Sequence, residues 1–387
     1  MYRKTYVKIE NSILTNNVKK IINKYQNYKY YIGVVKANAY GHGDYIINDL
    51  IKGGINYLAV SSLEEAISIR KYNQEIPILV LEPINIEYLN TILENNITIT
   101  VDSLVYTKSL IEKNFPKELK VHIKLDTGMN RLGIKDKQEV TDTINLLKEN
   151  NSIIIEGIYT HIGTSGINDI YYDQSINKFK ELTSNINLEE IPIVHLNRSI
   201  TLVHHTPYQY ETGVRLGIIM YGFNQSINEP TGIRKIKRDL LIKKLGISKS
   251  ILYNDLDLKT AFSLYSEVIS IRNVSKGEFV GYGANYIAKE NIIVATIPIG
   301  YNDGITKSIK YVSINNKLYE IIGDICMDMI QVKVDNTIKL YDKVEIFGKN
   351  ISIKDVSTRT NTNAYHIFTG ITTRVPRIYE DNIEIKY

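Results

Sequence analysis

The stretch that decides the fold is YYIGVVKANAYGHG, residues 30–43. An apolar run from Tyr30 to Val35 leads to one lysine, Lys36. Small residues come next, then Tyr40, then the turn Gly41-His42-Gly43. The pattern predicts a buried strand that ends by presenting an amine beside an anion-binding turn. A cation at the end of a buried strand is costly to desolvate unless it is paired or neutralised. Two readings of Lys36 stand on this context: a reactive amine, or a lysine emerging from a strand end into solvent.

Working outward, the same grammar recurs. Short β-branched runs at Tyr30–Val35, Tyr57–Val60, Ile76–Leu81, Ile97–Val101, Lys120–Leu125, Ile153–Tyr159, Ile191–His195 and Val214–Met220 alternate with polar segments of helical period. The helical segments include Ser62–Tyr72, Glu87–Asn95, Ser103–Lys113, Lys137–Lys148 and Tyr172–Thr183, and Ser62 with Glu65 reads as a capping box. Eight such alternations predict an α/β chain with a (β/α)8 TIM-type barrel. The runs are apolar throughout, as strands buried on both faces should be. Function then belongs at the C-terminal strand ends, where Lys36, Arg131, His161 and Ser199 fall. From Phe262 onward, short β-like runs separated by turn signals predict a mostly β C-terminal domain. The domains read as 8–230 for the barrel, 231–258 for a basic connecting insertion, helical over 231–250, and 1–7 with 259–387 for the β-rich part.

Composition narrows the class. The chain has 387 residues, 43% of them hydrophobic and 23% charged, with a net charge of +5. That balance is ordinary for a globular protein and predicts neither a nucleic-acid nor a membrane partner. No apolar run approaches the length of a membrane span, and the first residues carry no secretory pattern. The single cysteine, Cys326, excludes an intrachain disulfide and fits a reducing cytoplasm. The seven histidines show no metal-ligand spacing, so no metal is expected.

Further strings carry possible chemistry. KLDTGMNRLG (124–133) places Lys124 and Arg131 around a tight turn, where a planar guanidinium suits a carboxylate or phenolic oxygen. YTHIG (159–163) brings His161 to a strand end. RLGIIMYG (215–222) puts Arg215 at the edge of the last strand, with Gly217 allowing close backbone approach. GYGANY (281–286) holds Tyr282 between glycines. IPIGYNDG (297–304), GDICMD (323–328) and RVPRIY (374–379) complete the set.

In this order, and over nearly the whole chain, these strings resemble the bacterial alanine racemases, which are pyridoxal-phosphate (PLP) enzymes of fold-type III. The resemblance implies a barrel plus β domain working as a homodimer with shared active sites, acting on a small amino acid and supplying D-alanine for peptidoglycan. It implies that Lys36 carries the cofactor and is the base on one face, with Tyr282 of the other subunit on the opposite face. Tyr40 and Ser199 would bind the phosphate with backbone amides near Gly217 and Ile218. Arg131 would contact the phenolic oxygen and the substrate carboxylate, Arg215 the pyridine nitrogen, and His161 would link Arg215 towards Tyr282. Met327 and Tyr301 would touch the substrate. Lys124 matches a lysine that is carbamylated in some members. Two bases flanking a planar carbanion suit racemisation, and a phenol that titrates near 10 when free needs cations beside it to act as one.

Departures touch the pocket rim. Arg198 replaces a usual asparagine, Thr373 a frequent tyrosine, and Asp324 and Lys307 stand where arginines often line the entrance. Substrate preference, alanine or another small amino acid such as serine, is therefore the open expectation.

Overall fold

A computed structural model describes residues 2–113, 115–165, 170–223, 232–245, 256–380 and 384–385. It divides into two compact units: Leu14–Ala37 with Asp44–Lys259, and Met1–Ile13 with Asn38–Gly43 and Thr260–Tyr387.

The first unit is a parallel barrel. Its strands are β1 (Tyr30–Val34), β2 (Tyr57–Val60), β3 (Ile78–Val80), β4 (Ile97–Val101), β5 (Leu119–Leu125), β6 (Ile153–Thr160), β7 (Ile193–His195) and β8 (Gly213–Leu216). The ladder runs β7-β6-β5-β4-β3-β2-β1-β8. Between β7 and β8 the ring is joined by Thr212 N to Val194 O at 3.0 Å, Arg215 N to Asn197 O at 3.1 Å, and a bridge between Arg198 and Arg215. The helices start where the sequence offers an oxygen for the first free amides. Ser62 accepts from Glu65 N, Ser103 from Tyr106 N and Asp136 from Glu139 N. Helix Lys137–Glu149 buries Val140, Thr143, Ile144 and Leu147, a helical stripe against the strands.

Two expectations need adjusting. The last strand ends at Leu216, because Gly217–Met220 closes into a turn with Met220 N bonded to Gly217 O. Those apolar residues are buried in a turn instead of a strand. The strands are also not apolar throughout. Thr98, Thr100, His122, Lys124, His195 and Arg215 are all buried polar residues on the barrel strands.

The second unit is built on an antiparallel-rich sheet of ten described strands, into which Tyr6–Ile9 inserts between Phe262–Glu267 and Arg377–Tyr379. Its core includes His42, whose ring lies 5.0 Å from those of both Phe262 and Phe368. The Gly41-His42-Gly43 turn thus presents its imidazole to an aromatic core and not to a ligand. A small hairpin pairs Phe279–Val280 with Tyr286–Ile287 and carries Tyr282 at its tip. Of the basic segment 231–250, Gly232–Leu245 is helical; residue 231 and residues 246–255 lie outside the described residues. Among the described residues no helix is long and apolar enough to cross a membrane.

Candidate active site

Strand β1 delivers Lys36 half-buried at its C-terminal end. The chain then enters a left-handed turn: Ala37, Asn38, Ala39 and Tyr40 have φ of 53°, 55°, 49° and 53°. Each non-glycine residue in that conformation costs roughly 1–2 kcal/mol. Such strain persists where the surroundings over-determine it. Here Glu65 does so. Its Oε1 accepts from Ala37 N at 2.7 Å and its Oε2 from Ser61 N at 2.8 Å. The expected capping box is therefore only half formed: Ser62 caps Glu65 N, while the Glu65 carboxylate is spent on Ser61 and on the turn after Lys36.

Strand β5 ends in a loop organised by one carboxylate. Asp126 accepts from Gly128 N at 2.9 Å, Asn130 N at 3.1 Å and Arg131 N at 3.1 Å. This fixes the backbone of Arg131 and leaves its side chain exposed. Lys124, next to the end of the strand, is buried, and its Nζ lies 5.4 Å from the Tyr159 ring centre. Burial, with Arg131 and Arg215 adding repulsion, lowers the Lys124 ammonium to about 8.

Arg215 is the most enclosed of the expected charged residues. It lies inside β8, not at its edge. Its Nη1 meets His195 Nδ1 at 2.5 Å and His195 O at 2.8 Å; its Nη2 donates to Thr160 O at 2.7 Å and Leu196 O at 2.9 Å. The Nε–H takes no part in this fork. Burial brings Arg215 down to about 10, which leaves it charged at neutral pH. His161 comes directly after β6, and burial together with Arg215, Arg198, Arg131 and Lys124 pushes it down to about 2, so its imidazole is neutral.

Ser199 opens the helix after β7, and its Oγ accepts from Gly217 N at 2.9 Å. The hydroxyl and the turn Gly217-Ile218 are thereby drawn together. Arg198 does not project a free cation here: its Nε donates to Ile162 O at 2.9 Å and its Nη2 to Gly163 O at 3.3 Å, tying down the loop after His161. The barrel thus carries Lys124 and Arg215 near the C-terminal ends of their strands, and Lys36, Arg131, His161, Ser199, Gly217 and Ile218 in the segments that follow those ends.

Tyr40, Tyr282, Tyr301 and Met327 belong to the β-rich unit. The Tyr40 ring lies 5.6 Å from that of Tyr365. Tyr282 is 72% exposed, between Gly281 and Gly283, whose φ of 81° and 67° shape the tip. Tyr301 and Met327 are brought together by their loops: Tyr301 N bonds Cys326 O and Asn302 N bonds Met327 O, both at 3.0 Å. A Cβ on Gly300 would lie 2.3 Å from Met327 O, so only glycine permits this approach. Lys307 sits 4.6 Å over the Tyr301 ring, and Asp324 accepts from Asn285 at 2.6 Å.

The motifs do not disclose the polar interior of the barrel, above all His122, Glu156 and His195. The available signal is polar residues at two-residue spacing within strands, as at Thr98 and Thr100 or His122 and Lys124.

Residues 9–225 match the family model of the alanine racemase N-terminal domain, and residues 261–379 that of the C-terminal domain. An alanine racemase of Anoxybacillus flavithermus is 32% identical, with 99% of this chain and 97% of that protein covered. The crystal structure of alanine racemase from E. faecalis is similar with a TM-score of 0.86 at 27% identity, covering 98% of this chain and 99% of that one. That of Bartonella henselae, with covalently bound pyridoxal phosphate, gives 0.81 at 25% identity over 97% and 99%. A histidine racemase from Leuconostoc mesenteroides gives 0.82 at 25% identity over 98% of each chain.

Proposed function

The chain belongs to the alanine racemase family, and on that premise we propose that it is a PLP-dependent racemase interconverting L- and D-alanine by a two-base mechanism. The observation that carries the reading is the donor set on the barrel's strand ends: an amine, guanidinium groups, a hydroxyl and backbone amides. That set fits PLP, whose aldehyde takes an amine and whose phosphate and phenolic oxygen take donors.

Lys36 would hold the aldehyde. Ser199, the amides of Gly217 and Ile218, and Tyr40 would hold the phosphate. Arg131 would reach the phenolic oxygen and the substrate carboxylate. Arg215 would face the pyridine nitrogen with the Nε–H its fork leaves over. A guanidinium does not readily release that proton, so Arg215 would keep the ring nitrogen of a bound cofactor unprotonated. When bound, PLP withdraws electrons from the α-carbon of an attached amino acid and so acidifies its C–H. Lys36 Nζ takes or returns the proton on one face, and Tyr282 Oη of a second copy serves the other. The exposure of Tyr282 in the single chain supports a partner that covers it, hence a homodimer with shared sites. His161, neutral, would link Arg215 towards that tyrosine, and Met327 and Tyr301 would border the substrate. Lys124, carbamylated, would orient Arg131. We take the barrel as 8–230, the basic connection as 231–258 and the remainder as the β part. D-Alanine for peptidoglycan, made in the cytoplasm, is the role this activity serves.

A racemisation assay over a panel of L-amino acids with added PLP tests the reading. Alanine should turn over fastest, with serine and histidine as the discriminating members. Borohydride should trap the cofactor on Lys36. A label on another lysine, or full activity of Tyr282→Phe, overturns the two-base assignment.

A further inference from the structure

A line of hydrogen bonds crosses the barrel interior and ends on Arg215. Lys120 Nζ lies 2.9 Å from Glu156 Oε1. Glu156 Oε2 accepts from the Tyr57 hydroxyl at 2.6 Å and from Thr98 Oγ1 at 3.3 Å, and lies 3.4 Å from His122 Nε2. His122 Nδ1 is 2.9 Å from His195 Nε2, and His195 Nδ1 is 2.5 Å from Arg215 Nη1.

The two ends dictate every proton between them. A guanidinium only donates, so His195 Nδ1 accepts and its proton sits on Nε2. That proton points at His122 Nδ1, so His122 also carries its proton on Nε2 and offers it to Glu156. The arrangement closes only with both imidazoles neutral and the carboxylate ionised. The environment agrees. Burial and the Arg215 charge lower both histidines. Burial alone would raise Glu156, but hydrogen bonds from His122, Tyr57 and Lys120 outweigh it and hold the carboxyl at about 2.

The backbone is built around this line. Val121 pairs with Ile155 and His122 with Gly157, so Glu156 is the extra residue of a bulge. Bulges re-aim side chains. A Cβ on Gly157 would lie 2.5 Å from His122 Cε1 and Nδ1, so the ring occupies space that any other residue would fill. Among the described residues Arg215 makes no ion pair; the carboxylate that acts on its buried charge through space is Glu211, and Glu156 reaches it only through the two imidazoles.

We propose that Glu156 is a positioning residue for the reaction. Through His122 and His195 it fixes the protons that hold the Arg215 fork, and its charge adds at the far end of that line to what Glu211 supplies directly. The functional part of this inference rests on Arg215 facing the cofactor ring.

The test uses purified holoenzyme with 15N-labelled histidine rings, comparing wild type, Glu156→Gln and Glu156→Leu. In the wild type both histidines should show neutral, Nε2-protonated rings. Glu156→Gln keeps an acceptor and removes the charge. It should keep both tautomers, shift the absorbance of the bound cofactor and lower kcat about tenfold, with KM held within about twofold. Glu156→Leu should release His122 from its single tautomer. Unchanged ring shifts in Glu156→Leu, or wild-type kcat and cofactor absorbance in Glu156→Gln, overturn the proposal. The ring shifts report the relay whether or not PLP is present. A wild type that binds no PLP therefore sinks the racemase reading separately from the proton arrangement.

Discussion

Arg215 Nη1 meets His195 Nδ1 at 2.5 Å inside the barrel, and the same fork reaches three backbone carbonyls. A planar guanidinium satisfies four acceptors at once; an ammonium offers three donors from one point. Arg215→Lys should therefore keep the charge and lose the geometry. The expected result is a kcat/KM on alanine lower by about 10–100-fold, with a reduced thermal midpoint from carbonyls left unpaired. Retention of both values in the lysine variant would show that charge alone suffices.

The turn after Lys36 supplies a second prediction, on stability. Ala37 is exposed and holds φ 53°. Glycine adopts that conformation freely, whereas a β-branched residue resists it. Ala37→Gly should leave stability unchanged or raise it by up to about 1 kcal/mol, the lost strain exceeding the added freedom of the unfolded chain. Ala37→Val should lower it by about 2 kcal/mol. Denaturant midpoints of the two variants check the ordering, and the reverse order would contradict a left-handed turn.

These two sites differ in how far the sequence announces them. The strand leading to Lys36 is plain in Tyr30–Val35, because a buried parallel strand is a continuous apolar run. The left-handed turn is not, since Ala, Asn, Ala and Tyr contain no glycine to signal positive φ. Arg215 is visible as a motif residue, yet the run Val214–Met220 hides the end of its strand, because turn residues buried in a core look like strand residues. His122 and His195 stand 73 positions apart. Only closure of the barrel brings them into contact, and no local spacing encodes it. Tyr282 is legible for the opposite reason: Gly281 and Gly283 mark its turn in the chain itself.

His42 gives a dependence of stability on pH. Burial among aromatic rings lowers it to about 3 in the folded state, against about 6.5 for a free histidine. Between those values the unfolded chain binds the extra proton, so stability falls as pH drops below about 6.5. At pH 5 the loss attributable to His42 is about 2 kcal/mol. The thermal midpoint should fall between pH 7.5 and pH 5. A His42→Gln variant, less stable at pH 7.5, should lose less over the same range. Parallel curves for the two proteins would remove His42 as the cause.

Lys124 is where charge and covalent chemistry meet. An amine attacks carbon dioxide only when neutral, and an ordinary lysine near 10.4 is almost wholly charged at pH 8. Burial, with Arg131 and Arg215 close by, brings Lys124 to about 8, so about half of it is neutral there. The carbamate it forms would carry a negative charge into a cationic surrounding, which favours the product. Holoenzyme incubated with 13C-bicarbonate should therefore show one carbamate carbon resonance that grows between pH 7 and pH 9. The resonance should vanish in Lys124→Gln. If it persists in that variant, another lysine is modified. If the wild type shows none across the range, Arg131 is oriented by the Asp126-held loop alone.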